Sequence, residues 1–127
     1  MNDGTIKILL VEDNPGDAIL IKEMLKEAEN THFEIIHSTV LNEALKYLLQ
    51  HDFDVILLDL YLPDSIGIDS FRIMYNNAPD IPIIVLTGII EEKYATSTIK
   101  RGAHDYLIKG EIDTKSLVQS IKDAIKI

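Results

Sequence analysis

Four short apolar runs of this chain each end in polar residues of a different chemical kind. They are residues 6–11 before Glu12 and Asp13, 55–58 before Asp59, 83–86 before Thr87, and 106–108 before Lys109. If the runs are parallel strands, these side chains meet, because ligand sites lie at the carboxyl ends of such strands. Carboxylates about 4 Å apart repel by roughly 4 kcal/mol at an effective dielectric of 20, so the cluster requires a cation or a proton. Mg²⁺ fits, since it binds one or two carboxylates and shares its other positions with water and phosphoryl oxygens.

Each of these residues also has an ordinary structural interpretation. Glu12 and Asp13 could cap the helix that follows them, and Asp59 could begin a turn. Thr87 is a common strand residue, and a lysine such as Lys109 usually faces solvent at a strand end. A hydroxyl and an ammonium at neighbouring strand ends, however, suit the oxygens of a phosphoryl group. The combination of all five residues therefore favours one shared ligand site over a separate structural role for each residue.

The elements that would position these residues follow from hydrophobic periodicity. The apolar runs are short, rich in Val, Ile and Leu, and lack strict alternation, which is typical of strands buried on both faces. Segments between them have helical period, and Asp13 or Asn14 can cap the first while Gly102 can end the fourth. The predicted helices cover residues 15–29, 42–50, 68–77, 91–101 and 114–127, with a further strand at 33–39. Strict alternation of five strands and five helices predicts a doubly wound parallel sheet.

Composition excludes several classes of function. Twelve basic and twenty-one acidic residues give a net charge of −9, which argues against nucleic acid and anionic membranes as partners. The chain contains no cysteine, so disulfides, thiolate chemistry and cysteine zinc sites are excluded. Its polar first residues match neither a signal peptide nor a membrane span, and a cytoplasmic location is the default expectation. Metal-binding spacing is absent among the histidines, for which surface or strand roles are expected: His32, His37, His51 and His104.

Four segments together resemble the receiver domains of two-component response regulators, of the stand-alone, chemotaxis-receiver-like kind. They are LLVEDN at residues 9–14, DLYLPD at 59–64 followed by Gly67, VLTG at 85–88, and GAHDYLIK at 102–109. The resemblance extends over essentially the whole chain, in the expected order and spacing. It implies a flavodoxin-like α/β fold with five helices and a five-stranded parallel sheet in the order 2-1-3-4-5. Because the predicted elements fill the chain, we expect one receiver domain over residues 1–127, without an effector domain.

The same resemblance implies a function in phosphorelay signalling. A sensor histidine kinase or a phosphotransfer protein would transfer a phosphoryl group from phosphohistidine to an aspartate of this chain, in a reaction that needs Mg²⁺. The implied roles are Asp59 as phosphoacceptor, Glu12, Asp13, Asp59 and the Tyr61 backbone carbonyl as metal ligands, Thr87 and Lys109 as phosphoryl contacts, and Thr87 and Tyr106 as switch residues. The chain would then be a signalling domain that catalyses only its own phosphorylation and dephosphorylation, rather than an enzyme.

Output is expected to pass through protein contacts. The resemblance places the switching surface on the fourth helix, fifth strand and fifth helix, where another protein or a second copy of the chain would read it. Two positions depart from the family pattern. Glu12 stands where Asp is commoner, and Gly110 replaces the usual proline after the lysine. Because a cis peptide before a residue other than proline costs about 2.5–4 kcal/mol, a cis bond is disfavoured before Gly110, and the loop at residues 110–114 is expected to differ in shape from that of the family.

Three other functions fit this sequence less well than the receiver interpretation does. A phosphohydrolase of the haloacid dehalogenase type has a second Asp two residues after its nucleophile, where this chain has Tyr61. A flavodoxin-like cofactor protein needs a phosphate loop after the first strand, where Glu12 and Asp13 would repel phosphate. A receiver-like module that has lost phosphorylation would not be expected to keep all five polar residues of the cluster.

Overall fold

Strands and helices alternate along the chain, as the periodicity predicts. The protein is represented by a computed structural model that describes residues 4–88 and 92–126. The helices and strands are β1 (Thr5–Val11), α1 (Pro15–Lys26), β2 (His32–Ser38), α2 (Leu41–Gln50), β3 (Val55–Leu58), β4 (Tyr61–Leu62), β5 (Ser65–Ile66), α3 (Ile68–Asn77), β6 (Ile83–Thr87), α4 (Glu92–Lys100), β7 (Asp105–Ile108) and α5 (Thr114–Ile125).

Five of the strands form one parallel sheet in the order β2-β1-β3-β6-β7. Counting only these strands, the order is the predicted 2-1-3-4-5, and the flavodoxin-like architecture is confirmed. Strand β3 lies at the centre, between β1 and β6. The residue that follows β3 therefore has the acids after β1 on one side and the end of β6 on the other.

Helices cover both faces of the sheet, which explains the continuous apolar runs. In β1, Leu9 and Val11 pack in the core formed with α2 and α3, whereas Ile8 and Leu10 pack in the core formed with α1 and α5. All four side chains are essentially inaccessible to solvent. Burying a side chain of this size contributes roughly 1.5–3 kcal/mol, so each strand position stabilises one of the two layers.

A short antiparallel ribbon was not predicted. Strand β4 pairs with β5 directly after the central strand of the main sheet, and only two residues of each take part. The Gly67 N–H donates to the Leu60 carbonyl at 2.7 Å, which closes the ribbon. Gly67 has a φ of 75°, a conformation that glycine adopts at little cost. Two-residue strands are too short to produce a periodic pattern, so sequence analysis could not detect them.

Element boundaries differ from the predicted ones by a few residues. Helix α1 ends at Lys26 instead of continuing to residue 29, and the chain turns into β2 through Asn30 at a φ of 58°. Asparagine is enriched in this left-handed region. The predicted start of α4 at Glu91 and the predicted end of α5 at Ile127 lie outside the described residues.

The peptide before Gly110 is trans, as expected, and the described residues contain no cis peptide bond. None of the described helices is long and apolar enough to cross a membrane.

Candidate functional site

The carboxyl ends of the parallel strands bring the predicted acids together. Glu12, Asp13 and Asp59 each place a carboxylate oxygen within 4.8 Å of the other two. Glu12 and Asp59 are buried, whereas Asp13 is exposed. Thr87 is the last residue of the neighbouring strand β6 and is also buried. One edge of the sheet thus carries a largely buried acidic pocket.

The Lys109 ammonium enters this pocket from the end of β7. Its Nζ donates to Glu12 Oε1 at 2.7 Å, to Asp17 Oδ2 at 2.8 Å and to Asp59 Oδ2 at 2.8 Å. The backbone N–H of Lys109 donates to the Thr87 carbonyl at 2.9 Å, which fixes the end of β7 against β6. The ammonium therefore acts as the cation that a cluster of carboxylates requires.

Glu12 is held by hydrogen bonds at its backbone as well as its carboxylate. Its N–H donates to the Ser38 carbonyl at 2.9 Å, and its Oε2 accepts from the Asn14 N–H at 3.2 Å. Its carbonyl lies 2.7 Å from Nε2 of His37. Because a carbonyl only accepts, this nitrogen carries the proton, and a neutral ring then leaves Nδ1 to accept from Lys22 Nζ at 3.2 Å. The orientation of Glu12 is thus determined by β2 as well as β1.

The pKa values of Glu12 and Lys109 are both raised, which favours the neutral form of Glu12 and the charged form of Lys109. The pKa of Glu12 is raised to about 7, first by burial and then by the hydrogen bond and negative charge of Asp59, against the lowering effect of Lys109. For Lys109, burial acts to lower the pKa of the ammonium. Its hydrogen bonds to Asp17, Asp59 and Glu12 outweigh that effect and raise the pKa above its usual value. Lys109 is therefore charged at neutral pH, and Glu12 titrates close to neutral pH.

Asp59 is bound on both of its oxygens. Oδ2 accepts from Lys109, and Oδ1 accepts from the backbone N–H of Tyr61 at 2.9 Å. The Tyr61 ring is half-buried and meets Tyr94 of α4 edge to face, with ring centroids 6.5 Å apart. The half-buried Tyr106 ring packs against the core on the α2 and α3 side of the sheet.

Two residues of the site were missed by sequence analysis. Asp17 was treated only as part of the first helix, although its place in the first turn of α1, four residues after Asp13, was a signal that it could reach the same edge. His37 was predicted to have only a surface or strand role. It belongs to β2 as expected, but its contact with Glu12 depends on the register of β2 against β1, which no sequence pattern reveals.

The chemistry of the pocket is compatible with a hard divalent cation. Glu12, Asp13 and Asp59 supply carboxylate oxygens, which are ligands that Mg²⁺ prefers. Lys109 now neutralises part of this charge, so a metal ion and the ammonium would divide the carboxylates between them. The same ammonium can donate to the oxygens of an anion bound beside Asp59.

Comparison with known proteins identifies the family. The response regulator receiver domain matches this chain over residues 8–122. The chain belongs to the response regulator receiver domain family. Receiver domains act in two-component phosphorelay signalling, and their general function is to accept a phosphoryl group on an aspartate. The suspected resemblance is thereby confirmed.

Two relatives with similar sequences are longer than this chain. It is 30% identical over 123 residues to the transcriptional regulatory protein DegU of Brevibacillus brevis, a match that covers 96% of this chain and 51% of DegU. It is 35% identical over 104 residues to the cell cycle transcriptional regulator CtrA of Caulobacter vibrioides, covering 82% and 44% of the two chains. The chain thus spans about half the length of these relatives.

Solved structures of receiver domains share the fold. A response regulator receiver domain protein from Clostridium thermocellum has a TM-score of 0.79 and 28% identity, over 95% of this chain and 94% of its own. The beryllofluoride-activated receiver domain dimer of NtrC4 has a TM-score of 0.80 and 30% identity, over 94% and 96% of the two chains.

Proposed function

We propose that Asp59 of this receiver domain accepts a phosphoryl group from a phosphohistidine of a sensor histidine kinase or a phosphotransfer protein. The observation that carries the proposal is the position of Asp59 after the central strand β3. There it lies beside the acids that follow β1, next to the strand that ends in Thr87, and within 2.8 Å of Lys109. In the transfer, an Asp59 oxygen forms a bond to phosphorus as the bond from phosphorus to the histidine nitrogen breaks, and that nitrogen retains the electron pair.

Each neighbouring group has a role in this transfer. Glu12, Asp13, Asp59 and the Tyr61 carbonyl would hold Mg²⁺, which when bound offsets the negative charge that the attacking carboxylate and the phosphoryl group bring together. Lys109 donates to a phosphoryl oxygen, and the Thr87 hydroxyl binds another. The Tyr61 N–H, which already donates to Asp59, keeps the carboxylate oriented for in-line attack.

Output follows from the charge that phosphorylation adds. A phosphoryl group contributes roughly −1.5 to −2 charge and three acceptor oxygens, which draw Thr87 and Lys109 toward Asp59. Tyr106 on β7 would respond and alter the surface formed by α4, β7 and α5. That surface would bind a downstream protein or a second copy of the chain. The dimer formed by the NtrC4 receiver domain supports the second possibility.

Other parts of the sequence-based picture stay predictions. Self-phosphorylation and dephosphorylation as the only catalysed steps, and a cytoplasmic location, belong with the proposed function. The exclusion of nucleic acid rests on the net charge of −9, whereas DegU and CtrA are named transcriptional regulators.

Intact-protein mass spectrometry tests the phosphoacceptor. Wild-type protein incubated with acetyl phosphate and Mg²⁺ should gain the mass of one phosphoryl group, and Asp59→Asn should gain none. Asp54→Asn is the matched control, because Asp54 directly precedes β3, at the end opposite Asp59, and its carboxylate accepts from the Lys7 backbone N–H at 2.8 Å. It should label as wild type does. Labelling of Asp59→Asn would contradict the assignment of the phosphoacceptor, and labelling that persists in excess chelator would contradict the role of Mg²⁺.

A further inference from the structure

All three N–H donors of the Lys109 ammonium are in use. An ammonium has three donors, and Lys109 gives one each to Glu12, Asp17 and Asp59. The proposed function requires the same ammonium to donate to a phosphoryl oxygen. Lys109 can do so only by releasing one of its three carboxylates.

The three carboxylates differ in how readily they can be released. The side chains of Glu12 and Asp59 are 1% and 7% exposed, whereas that of Asp17 is 38% exposed. A buried carboxylate that loses its partner is left uncompensated in a medium of low dielectric, but an exposed one is solvated by water. Asp17 is therefore the partner that Lys109 loses at least cost.

The backbone of Asp17 is held by a contact that does not involve Lys109. Its N–H donates to the Asn14 side chain at 2.9 Å, in the cap of α1. A negative charge in the first turn of a helix is favourable, because the N–H groups there point toward it. A released Asp17 carboxylate consequently keeps a stabilising environment.

We propose that Asp17 is a positioning residue of the phosphoacceptor site, which holds Lys109 in the unphosphorylated protein and is the partner that Lys109 releases to the phosphoryl group. The inference rests on the proposed role of Asp59. It assigns to α1 a direct part in determining how strongly the pocket binds a metal ion and how fast it is phosphorylated.

The proposal predicts opposite changes in metal binding and phosphorylation. Asp17→Asn removes one negative charge and weakens the hold on Lys109. The freed ammonium competes better for Glu12 and Asp59, so the Kd for Mg²⁺ should rise about threefold to tenfold. The same ammonium is more available to an anionic donor, so the second-order rate constant for phosphorylation by acetyl phosphate at saturating Mg²⁺ should rise about twofold to fivefold. General damage to the site would weaken both.

Isothermal titration calorimetry with MgCl₂ and mass-spectrometric phosphorylation time courses measure the two quantities. Asp17→Ser, whose side chain no longer reaches Lys109, should reproduce both changes. Glu23→Gln is the control, since Glu23 is an exposed acid of the same helix, six positions after Asp17. A phosphorylation rate constant that falls or stays within twofold of wild type in both Asp17 variants would overturn the proposal, as would equal effects of Glu23→Gln.

A double-mutant cycle tests whether Asp17 acts through Lys109. In a Lys109→Gln background, Asp17→Asn should raise the Kd for Mg²⁺ by a smaller factor than it does in wild type, because no ammonium is left to compete. An equal factor in both backgrounds would show that Asp17 acts independently of Lys109. These metal affinities are measured without phosphorylation, so the test of Asp17 holds even if Asp59 is not the phosphoacceptor. Failure of the phosphoacceptor assignment would be detected separately, by wild-type protein that gains no phosphoryl mass.

Discussion

At the scale of single residues, Glu12 links the stability of the protein to pH. Its pKa is raised from 4.5 to about 7, first by burial and then by Asp59. Between these values the folded state binds more protons than the unfolded state. Stability without a divalent metal ion should therefore fall as pH rises through this window, by an amount on the order of a few kcal/mol.

Urea unfolding in EDTA at pH 5 and pH 8 measures this effect. Glu12→Gln stays neutral and should lose less stability between the two pH values than wild type does. Adding Mg²⁺ should stabilise wild type more at pH 8 than at pH 5, since the metal ion binds the deprotonated carboxylate. Parallel pH profiles for wild type and Glu12→Gln would show that Glu12 is not the titrating group.

Tyr61 bears on the lifetime of the phosphorylated state. The resemblance to receiver domains implies that the residues two positions after the phosphoacceptor and two after the threonine flank the path of the attacking water. Here those residues are Tyr61 and Ile89, and Ile89 lies outside the described residues. The Tyr61 ring is bulky, contacts Tyr94 and has no carboxylate or amide to orient a water for in-line attack. The aspartyl phosphate should therefore be comparatively long-lived.

Dephosphorylation rates of purified phosphoprotein test the lifetime prediction. Tyr61→Asn, alone or with Ile89→Glu, should accelerate decay about threefold to tenfold at constant Mg²⁺ and pH. A tenfold change corresponds to about 1.4 kcal/mol of barrier. Leu49→Asn is the control, because Leu49 is exposed on α2. Decay of the Tyr61 variants at the wild-type rate would exclude control of water access by these side chains.

At the scale of elements, helix α2 is capped from the β4–β5 turn rather than by its own N-cap residue. Asp64 accepts from the backbone N–H groups of Leu41 and Asn42 at 2.8 and 2.9 Å, whereas Val40 supplies no side-chain cap. Burial acts to raise the pKa of Asp64, but these two N–H groups outweigh it and lower the pKa. The cap also ties α2 to the segment that follows Asp59.

Asp64→Ala should destabilise the protein by about 1 kcal/mol at pH 7, the usual cost of losing a helix cap. Because the folded pKa is depressed, this contribution is complete above pH 3.8 and is lost as pH falls through the lower folded value. Urea unfolding at several pH values checks both points. Asp80→Ala is the control, because Asp80 is another exposed turn aspartate, and it should reduce the free energy of unfolding only slightly. An equal loss for the two variants would contradict the cap.

The junction of α4 and β7 depends on a glycine. Gly102 has a φ of 119°, and a Cβ at this position would lie 2.8 Å from Cε1 of Tyr75, whose ring stacks on Phe71. Gly102→Ala should therefore destabilise the protein by about 1–3 kcal/mol, from backbone strain and this overlap. Thermal or urea unfolding measures the loss. Gly110→Ala has no heavy atom within 4 Å of its Cβ and should be far milder. Equal effects would refute the argument.

At the scale of the whole molecule, phosphorylation should change the α4, β7 and α5 surface more than the α2 and α3 surface. The two surfaces are matched for comparison, since α2 and α3 pack directly on the sheet without carrying a residue of the pocket. NMR chemical shifts or amide hydrogen exchange before and after acetyl phosphate treatment provide the measurement. Asp59→Asn treated identically is the control. A response limited to the acidic pocket would count against a switch.

Much of the fold could be predicted because hydrophobic periodicity reports burial directly. Buried runs such as residues 83–86, separated by amphipathic segments, leave few arrangements besides a doubly wound parallel sheet, and α3 was predicted to the residue. The same logic placed Glu12, Asp59 and Lys109 at one edge, because parallel strands all end there. The family resemblance supplied the order of the strands and the chemical roles.

Other features required the three-dimensional structure, since they arise between residues that no local pattern connects. Asp17 and Lys109 are 92 positions apart, and only the packing of α1 beside the end of β7 brings them to 2.8 Å. The contact of His37 with the Glu12 carbonyl depends on strand register, and the cap that Asp64 places on α2 spans 23 positions. Periodicity records how deeply a side chain is buried. Strand register and packing decide which polar groups meet. A hydrogen bond needs two atoms within about 3 Å of each other, and local sequence patterns do not specify such distances.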